Sequence, residues 1–205
     1  MKQKIFFISL CTTIVVVSIT MLNACSSNVE HVETTQKVCL KSNVSHSDYM
    51  NMVSNITKRM TTTRSDNSVD MNEKEAKAIL KPFTEDGRTL HQSLLTQIDL
   101  TNPEYDLSAE DIKQIKNSGD DVLAAFSFLM YEMGQQSTAN RSISGSKFVS
   151  CLGAATGISS IAEIADVSGL VSAKTALQLL KVIGKRYLGY IGLAIAVYSF
   201  VDCIS

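Results

Sequence analysis

The sequence predicts an all-α protein: an irregular helical bundle with a flexible N-terminal tether and a Gly/Ala-rich, apolar C-terminal helical block. Three observations predict this class. The chain has two prolines and no tryptophan, and it is rich in alanine, leucine, isoleucine and methionine. Its apolar residues recur at helical spacing, with few strand-like alternations. Its 205 residues are enough for one domain with a substantial core.

The first 24 residues have the three parts of an export signal. Lys2 and Lys4 give a short positive start, residues 6–21 are mostly apolar, and small residues precede a cut after Ala24. This pattern predicts a signal peptide over residues 1–24.

The signal ends in Leu22-Asn23-Ala24-Cys25, which resembles the lipobox of bacterial lipoproteins. The resemblance covers residues 1–25, and Asn23 departs from the small residue that is usual there. It implies that the Cys25 thiol receives a diacylglyceryl group and that cleavage makes Cys25 the lipidated first residue. Because each buried acyl methylene is worth about 0.8 kcal/mol, two or more chains would anchor the protein firmly. Ser26-Ser27-Asn28 carries no acid, which by the same resemblance implies the outer membrane if the cell is Gram-negative.

An uncleaved membrane anchor is the alternative for the same segment. The apolar run of about 17 to 19 residues lies at the lower limit for a bilayer span. Polar side chains also interrupt it, at Thr12, Thr13, Ser18 and Thr20. We therefore favour cleavage and acylation, with the protein anchored to a membrane and not spanning it.

Charge excludes one class of partner. Of the 19 basic residues, Lys2 and Lys4 leave with the signal, so that 17 remain against 20 acidic residues, a net charge of −3. This balance does not favour nucleic acid. The resemblance implies a membrane as the partner, reached through the lipid on Cys25, and allows another envelope protein.

A polar tether is predicted over residues 25–45, followed by a helical region over residues 46–134. Ser47 or Asp48 is expected to cap its first helix, and Thr84 its third. The helices are predicted over residues 47–60, 70–80, 83–98, 109–116 and 122–133.

The later helices of this region carry the sharpest local signals. Ser108 and Asp111 have the spacing of a capping box, and Gly119 is expected to follow that helix in a left-handed conformation. Residues 122–133 are apolar nearly all round, which is typical of a helix at the centre of a core.

A linker is predicted over residues 135–147, and the composition shifts after it. The block over residues 148–205 is sparse in charge and rich in glycine, alanine and isoleucine. Gly153 and Gly157, four residues apart, predict a flat groove for a neighbouring helix. The helices of the block are predicted over residues 148–165, 171–183 and 187–201.

Two interpretations of this block compete. As a membrane-active segment, it would meet anionic lipid through a basic stripe and insert its apolar helices; its composition resembles that of some secreted antibacterial peptides. As a packed core, it would be buried, which we favour because an uncharged run of about 15 residues is short for a span. The membrane- or partner-facing candidates are Lys174, Lys181, Lys185 and Arg186.

Three cysteines remain after acylation of Cys25 and loss of Cys11 with the signal. In an oxidising compartment they allow one disulfide and one free thiol. We expect Cys151 to pair with Cys203, with Cys39 as the alternative partner of either. In three alternating helices the outer ends of the first and third lie about 25 Å apart, beyond the limit of about 7 Å between bridged Cα atoms. The expected bond therefore requires a short first helix, or later segments that run on past Gly184.

No catalytic residue, metal site or cofactor is predicted. Ser144-Gly145-Ser146-Lys147 and Ser65-Asp66-Asn67 match motifs of penicillin-interacting serine enzymes, but their order is reversed and Lys-Thr-Gly is missing. The three histidines, His31, His46 and His91, have no second ligand at metal-binding spacing. We therefore expect a non-enzymatic binding or structural role at the cell envelope, with an antibacterial or pore-forming protein as the alternative.

Overall fold

The described residues are mostly helical, and the predicted all-α class is confirmed. The structure, a computed structural model, describes residues 40–62, 71–136, 144–164, 171–186 and 188–205, which belong to one compact unit. A 3₁₀ turn, Pro103–Tyr105, follows the third helix. The α-helices are α1 His46–Thr62, α2 Glu73–Ile79, α3 Lys81–Gln97, α4 Ala109–Lys116, α5 Asp120–Gln136, α6 Gly145–Thr156, α7 Ile161–Ile164, α8 Ala173–Arg186 and α9 Gly189–Ile204.

Helix α5 lies at the centre of the core. All twelve residues from Val122 to Met133 are buried, as the apolar character of this stretch predicts. Helices α3, α8 and α9 pack against it. Complete burial of a phenylalanine such as Phe126 or Phe128 contributes about 1.5–3 kcal/mol, so this helix contributes substantially to the stability of the core.

Helices α3 and α5 approach unusually closely at Gly87. A Cβ atom built there would lie 2.1 Å from the carbonyl oxygen of Leu123. Only a residue without a side chain fits at that distance, so Gly87 sets the separation of the two helices.

A chain of edge-to-face rings joins the two halves of the sequence into one core. Phe83 packs on Phe128 at 5.8 Å between ring centroids, Phe128 on Phe200 at 5.9 Å, and Phe200 on Phe148 at 5.6 Å. Edge-to-face contacts of this kind are favourable beyond the area they bury. The predicted helical region and the C-terminal block thus share a core.

The predicted capping box is confirmed, and the first helix begins differently from the prediction. The Ser108 side chain accepts a hydrogen bond from the Asp111 amide, and the Asp111 carboxylate accepts one from the Ser108 amide. At the start of α1 the acceptor is Ser45, whose hydroxyl receives the Asp48 amide at 3.1 Å. The prediction of Ser47 or Asp48 as the cap was wrong, because the chain turns into the helix two residues earlier.

Two further local predictions were wrong. Thr84 does not cap α3; it is buried inside the helix and donates its hydroxyl to the Leu80 carbonyl. Gly119 is absent from the positive-φ glycines of the described chain, and its carbonyl accepts the Leu123 amide at 2.9 Å. Because α5 begins at once with Asp120, Gly119 starts that helix and does not end the previous one.

The first described residues are fastened to the body by a buried carboxylate. Asp86, on α3, accepts hydrogen bonds from the Ser42 hydroxyl at 2.8 Å, the Asn43 amide at 2.9 Å and the Ser127 hydroxyl at 2.6 Å. Leu40 is also buried, and its amide pairs with Val171. Residues 40–44, which the sequence placed in the tether, are therefore part of the folded body.

The C-terminal block begins with a shorter helix than expected. Helix α6 ends at Gly157, which has φ +67°, a left-handed conformation that glycine adopts without strain. Gly153 packs against Ile158 and Ile161 in the segment that follows. The predicted groove made by two glycines was therefore wrong. Gly157 ends the helix, and only Gly153 is approached by a neighbouring element, through Ile158 in the loop and Ile161 at the start of α7. Helices α8 and α9 are bent by 116° relative to each other.

Candidate functional site

A shallow groove with basic side chains lies along α2 and α3, and we call it the basic groove. Its volume is about 270 Å³. Four of its side chains carry positive charge and one carries negative charge. The lining residues are Lys74, Lys77, Ala78, Lys81, Thr84, Glu85 and Arg88.

Helical spacing brings these side chains to one side of two consecutive helices. The Asn72 side chain accepts the Glu75 amide and starts α2, and Leu80, which is fully buried, joins α2 to α3. Pro82 lies in the first turn of α3, where its missing amide hydrogen costs little. Residues three, four and seven positions apart therefore fall on the same face.

Arg88 is the one cation of the groove that has a strong partner. Its guanidinium donates two hydrogen bonds to the Asp120 carboxylate, at 2.8 and 2.5 Å. These bonds hold the pKa of the Asp120 carboxyl below its usual range, and the same carboxylate raises the pKa of Arg88. Because this pair joins α3 to the start of α5, its role is first of all structural.

The lysines are much less neutralised. Lys77 lies 4.0 Å from Asp120 and Lys81 lies 3.5 Å from Glu85, and the two lysine side chains are 58% and 68% exposed. Exposed pairs at such distances contribute little. Lys74 forms no ion pair with any residue that the structure describes.

An unusual tyrosine lies beside the groove. The Lys77 ammonium lies over the Tyr190 ring, 5.5 Å from its centroid. The Tyr190 hydroxyl is buried and has no hydrogen-bond partner in the described part of the chain. A buried hydroxyl without a partner is uncommon.

A second groove continues the basic face on the other side of Ala78, with a volume of about 390 Å³. Lys58 and Arg59 bring two further cations from the end of α1, and Arg59 pairs with Glu75. The second groove is lined by Asn55, Lys58, Arg59, Glu75, Ala78 and Ile79.

This arrangement is suited to holding anions by charge. Across the described ranges, no group of three histidine, cysteine, aspartate or glutamate side chains is placed to hold a metal ion. The sequence analysis missed the basic face, because it assigned no role to Lys74, Lys77 or Lys81. The spacing of Lys74, Lys77 and Lys81 was the signal that could have found it.

Two of the four basic candidates in the C-terminal block face the protein itself. The Lys181 and Lys185 ammonium groups lie 3.1 and 2.8 Å from the Asp111 carboxylate, which is 6% exposed. Lys181 also donates to the Asp106 carbonyl at 3.1 Å. Lys185, and then Ser108 and Lys181, hold the pKa of the Asp111 carboxyl far below its usual range. These two lysines thus fasten α8 to the start of α4.

The other two candidates, Lys174 and Arg186, have exposed side chains. The Arg186 guanidinium lies against Gly157, in the space that a side chain would occupy. The structure thus separates the four residues into Lys181 and Lys185, which are paired with Asp111, and Lys174 and Arg186, which form no ion pair within the described residues. Their use toward a membrane or a partner stays a prediction.

The expected disulfide is confirmed. Cys151, in the middle of α6, is bonded to Cys203, in the last turn of α9, with 5.7 Å between the Cα atoms. The predicted bond required a short first helix in this block, and α6 is short. Helices α8 and α9 also bend relative to each other. Cys25 and Cys39 lie outside the described residues.

The remaining motifs have structural roles or lie outside the described residues. Ser144 caps α6 by accepting the Lys147 amide, which explains half of the penicillin-enzyme match; Ser65-Asp66-Asn67 lies outside. His91 is hydrogen-bonded to the Ile115 carbonyl at 2.8 Å and thereby joins α3 to α4. His46 lies 3.3 Å from the Tyr131 hydroxyl.

The apolar block is mostly packed inside the protein. Tyr190, Leu193, Ala194, Ala196, Val197 and Phe200 of α9 are all buried. Within the described ranges, no single helix is both long and apolar enough to cross a bilayer, although α8 and α9 together reach that length and apolarity across their bend.

Comparison with known proteins gives no relative. No protein-family model, curated protein or solved structure matches the chain significantly.

Proposed function

We propose that this chain is a membrane-anchored cell-envelope lipoprotein with a non-enzymatic binding or structural role. The observation that carries the proposal is the export signal that ends in Leu22-Asn23-Ala24-Cys25. Acylation at Cys25 would place the protein outside the cytoplasm, in the outer membrane if the cell is Gram-negative.

The disulfide between Cys151 and Cys203 supports export, because disulfides persist mainly in oxidising compartments. The distance from the anchor supports a tethered body. Cys25 is followed by 14 residues before Leu40, a stretch that spans at most about 50 Å when extended. The basic groove is the surface we assign to the binding role.

The test is metabolic labelling with an alkynyl fatty acid in a bacterium that makes the full chain, followed by mass spectrometry of the purified protein. We expect a labelled N-terminus at Cys25, and no label in Cys25→Ala. Cys11→Ala is the matched control and should keep the label, since residue 11 is lost with the signal. A chain that still starts at Met1, or an unlabelled N-terminus at position 25, contradicts the proposal.

A second candidate, an antibacterial or pore-forming protein, is favoured by one observation: α8 and α9 together have the length and apolarity of a membrane span. Burial of α9 and its bond to α6 oppose it. The purified protein is added to dye-filled liposomes with and without a reductant. Leakage at micromolar protein supports the second candidate, and its absence under both conditions removes it.

A further inference from the structure

We infer that the basic groove docks on the phosphate groups of an anionic lipid membrane. The choice of a lipid surface among anionic partners rests on the proposed anchoring at Cys25. The groove itself is defined by contacts that do not depend on that anchoring.

The cations of the basic groove differ in how strongly they are held. Arg88 is held by two short hydrogen bonds to Asp120. Lys77 and Lys81 have only long, exposed pairs, and Lys74 has no ion pair within the described chain. Three ammonium groups, including that of Lys77 over the Tyr190 ring, are therefore only weakly held and can meet an external anion.

The placement of the lysines indicates the shape of the anion that they would bind. Lys74 and Lys77 lie on α2 and Lys81 lies on α3, on either side of the break at Leu80. All three line the same shallow groove, and their side chains are exposed. A single small anion is best held by buried, fixed donors, whereas exposed lysines on two helices fit a surface that presents many phosphates.

The basic groove also has small, uncharged lining residues. Ala78 and Thr84 lie between the basic side chains. Lysine stems lie along apolar surface while their charged heads reach toward water or headgroups. A tethered body that stays within about 50 Å of the bilayer would meet the membrane often. A surface that binds lipid only weakly would then be enough to orient the body on the membrane.

The test uses a chain that begins at Ser26, so that acylation plays no part in the result. The described residues form one compact unit with its own core, and this unit carries the groove. Co-sedimentation is measured with phosphatidylcholine vesicles, with and without phosphatidylglycerol, in about 0.1 M salt, where the Debye length is about 10 Å. We expect binding only when phosphatidylglycerol is present.

The decisive variant is Lys74→Gln/Lys77→Gln/Lys81→Gln. Each lysine near an anionic surface is worth about fivefold in affinity, so the triple variant should bind about 100-fold more weakly. Its far-UV circular dichroism should match that of the parent chain. Its unfolding midpoint should fall only slightly, because the variant loses two weak, exposed ion pairs and the contact of Lys77 with the Tyr190 ring.

The matched control is Lys113→Gln/Lys116→Gln/Lys174→Gln, which makes the same change of charge at exposed lysines of α4 and α8. We expect its affinity to stay within about fivefold of the parent. Equal losses in the two triple variants would overturn the inference, because binding would then follow net charge alone. Absence of binding to phosphatidylglycerol vesicles would overturn it as well.

Inorganic phosphate separates a lipid surface from a single-anion pocket. If phosphate releases the protein from vesicles and chloride of the same ionic strength does not, the groove is a pocket for a free anion and the inference is wrong. Equal release by the two salts supports it. Because this chain lacks Cys25, loss of fatty-acid labelling would refute the lipoprotein proposal without changing any of these outcomes.

Discussion

Replacement of Gly87 by alanine should destabilise the protein, although alanine is the better helix former. In an ordinary helix interior the change from glycine to alanine is favourable by about 1 kcal/mol. At Gly87 the new Cβ would lie 2.1 Å from the Leu123 carbonyl oxygen. The obstacle is a backbone atom that has no alternative rotamer. Helices α3 and α5 must therefore separate by more than 1 Å, from 2.1 Å to at least 3.4 Å between the two atoms, to reach an ordinary contact.

The expected change in the free energy of unfolding is the difference between two opposing contributions. Overpacking of a well-packed core costs about 1–3 kcal/mol, and the rigid obstacle places Gly87→Ala near the upper end. Subtraction of the gain in helix propensity of about 1 kcal/mol leaves a net loss of about 2 kcal/mol. For a domain of this size, the melting temperature should fall by about 4–8 °C.

Urea unfolding followed by circular dichroism measures this change, and Gly134→Ala is the matched control. Gly134 also lies in a helix, and a Cβ there meets nothing within 4 Å. The control should therefore be stabilised, by about 0.5 kcal/mol. If Gly87→Ala unfolds at the same or a higher urea concentration than the parent, the close approach of α3 and α5 described above is incorrect.

Three further changes test other contacts. Cys151→Ala/Cys203→Ala should lose about 4 kcal/mol in the chain-entropy model, since the bridge closes a loop of 52 residues; urea unfolding should then become insensitive to reductant, and a loss below about 1 kcal/mol would contradict the model. Asp111→Asn should cost about 2 kcal/mol at pH 7. Because the folded pKa of Asp111 is lowered, its contribution is complete above the unfolded pKa of about 3.9 and is lost as pH falls below that value. The difference in unfolding free energy between parent and variant should therefore shrink as pH falls from 7 to 3; a constant difference would contradict this assignment. Asp86→Ala leaves two serine hydroxyls and the Asn43 amide without their acceptor, at a cost of about 3 kcal/mol; hydrogen exchange at Asn43 should accelerate, and unchanged protection would contradict the role of the carboxylate.

Features set by neighbouring residues were predictable from the sequence. The capping box of Ser108 and Asp111 depends on two side chains three positions apart, and the structure has it as predicted. The burial of residues 122–133 follows from a stretch that is apolar on every face. The Cys151–Cys203 bond was reached by counting cysteines and asking which helix lengths would allow the pairing.

Features set by distant segments were not predictable in the same way. Gly87 resembles any other helical glycine until α5 is placed against it. Gly153 and Gly157 have the spacing of a helix-packing motif, but Gly157 ends α6. Lys181 and Lys185 look like a free stripe on α8, because the sequence does not reveal that Asp111, 70 residues earlier, lies beneath them.

The basic groove was predictable from the sequence only in part. The spacing of its lysines is visible in the sequence, whereas their exposure is not. Arg88 shows the difference: it continues the same stripe, yet it is held by Asp120 on another helix. Only the folded arrangement separates available charges from those that already have a partner.

The bond between α6 and α9 also determines how the protein responds to proteolysis. The bond joins Cys151 to Cys203 and thereby closes residues 151–203 into a ring. A protease that nicks a peptide bond between residues 152 and 202 would open that ring without releasing either piece. Such a molecule would migrate as one band on a non-reducing gel and as two after reduction. Cleavage in this region would therefore be detected only after the disulfide is reduced.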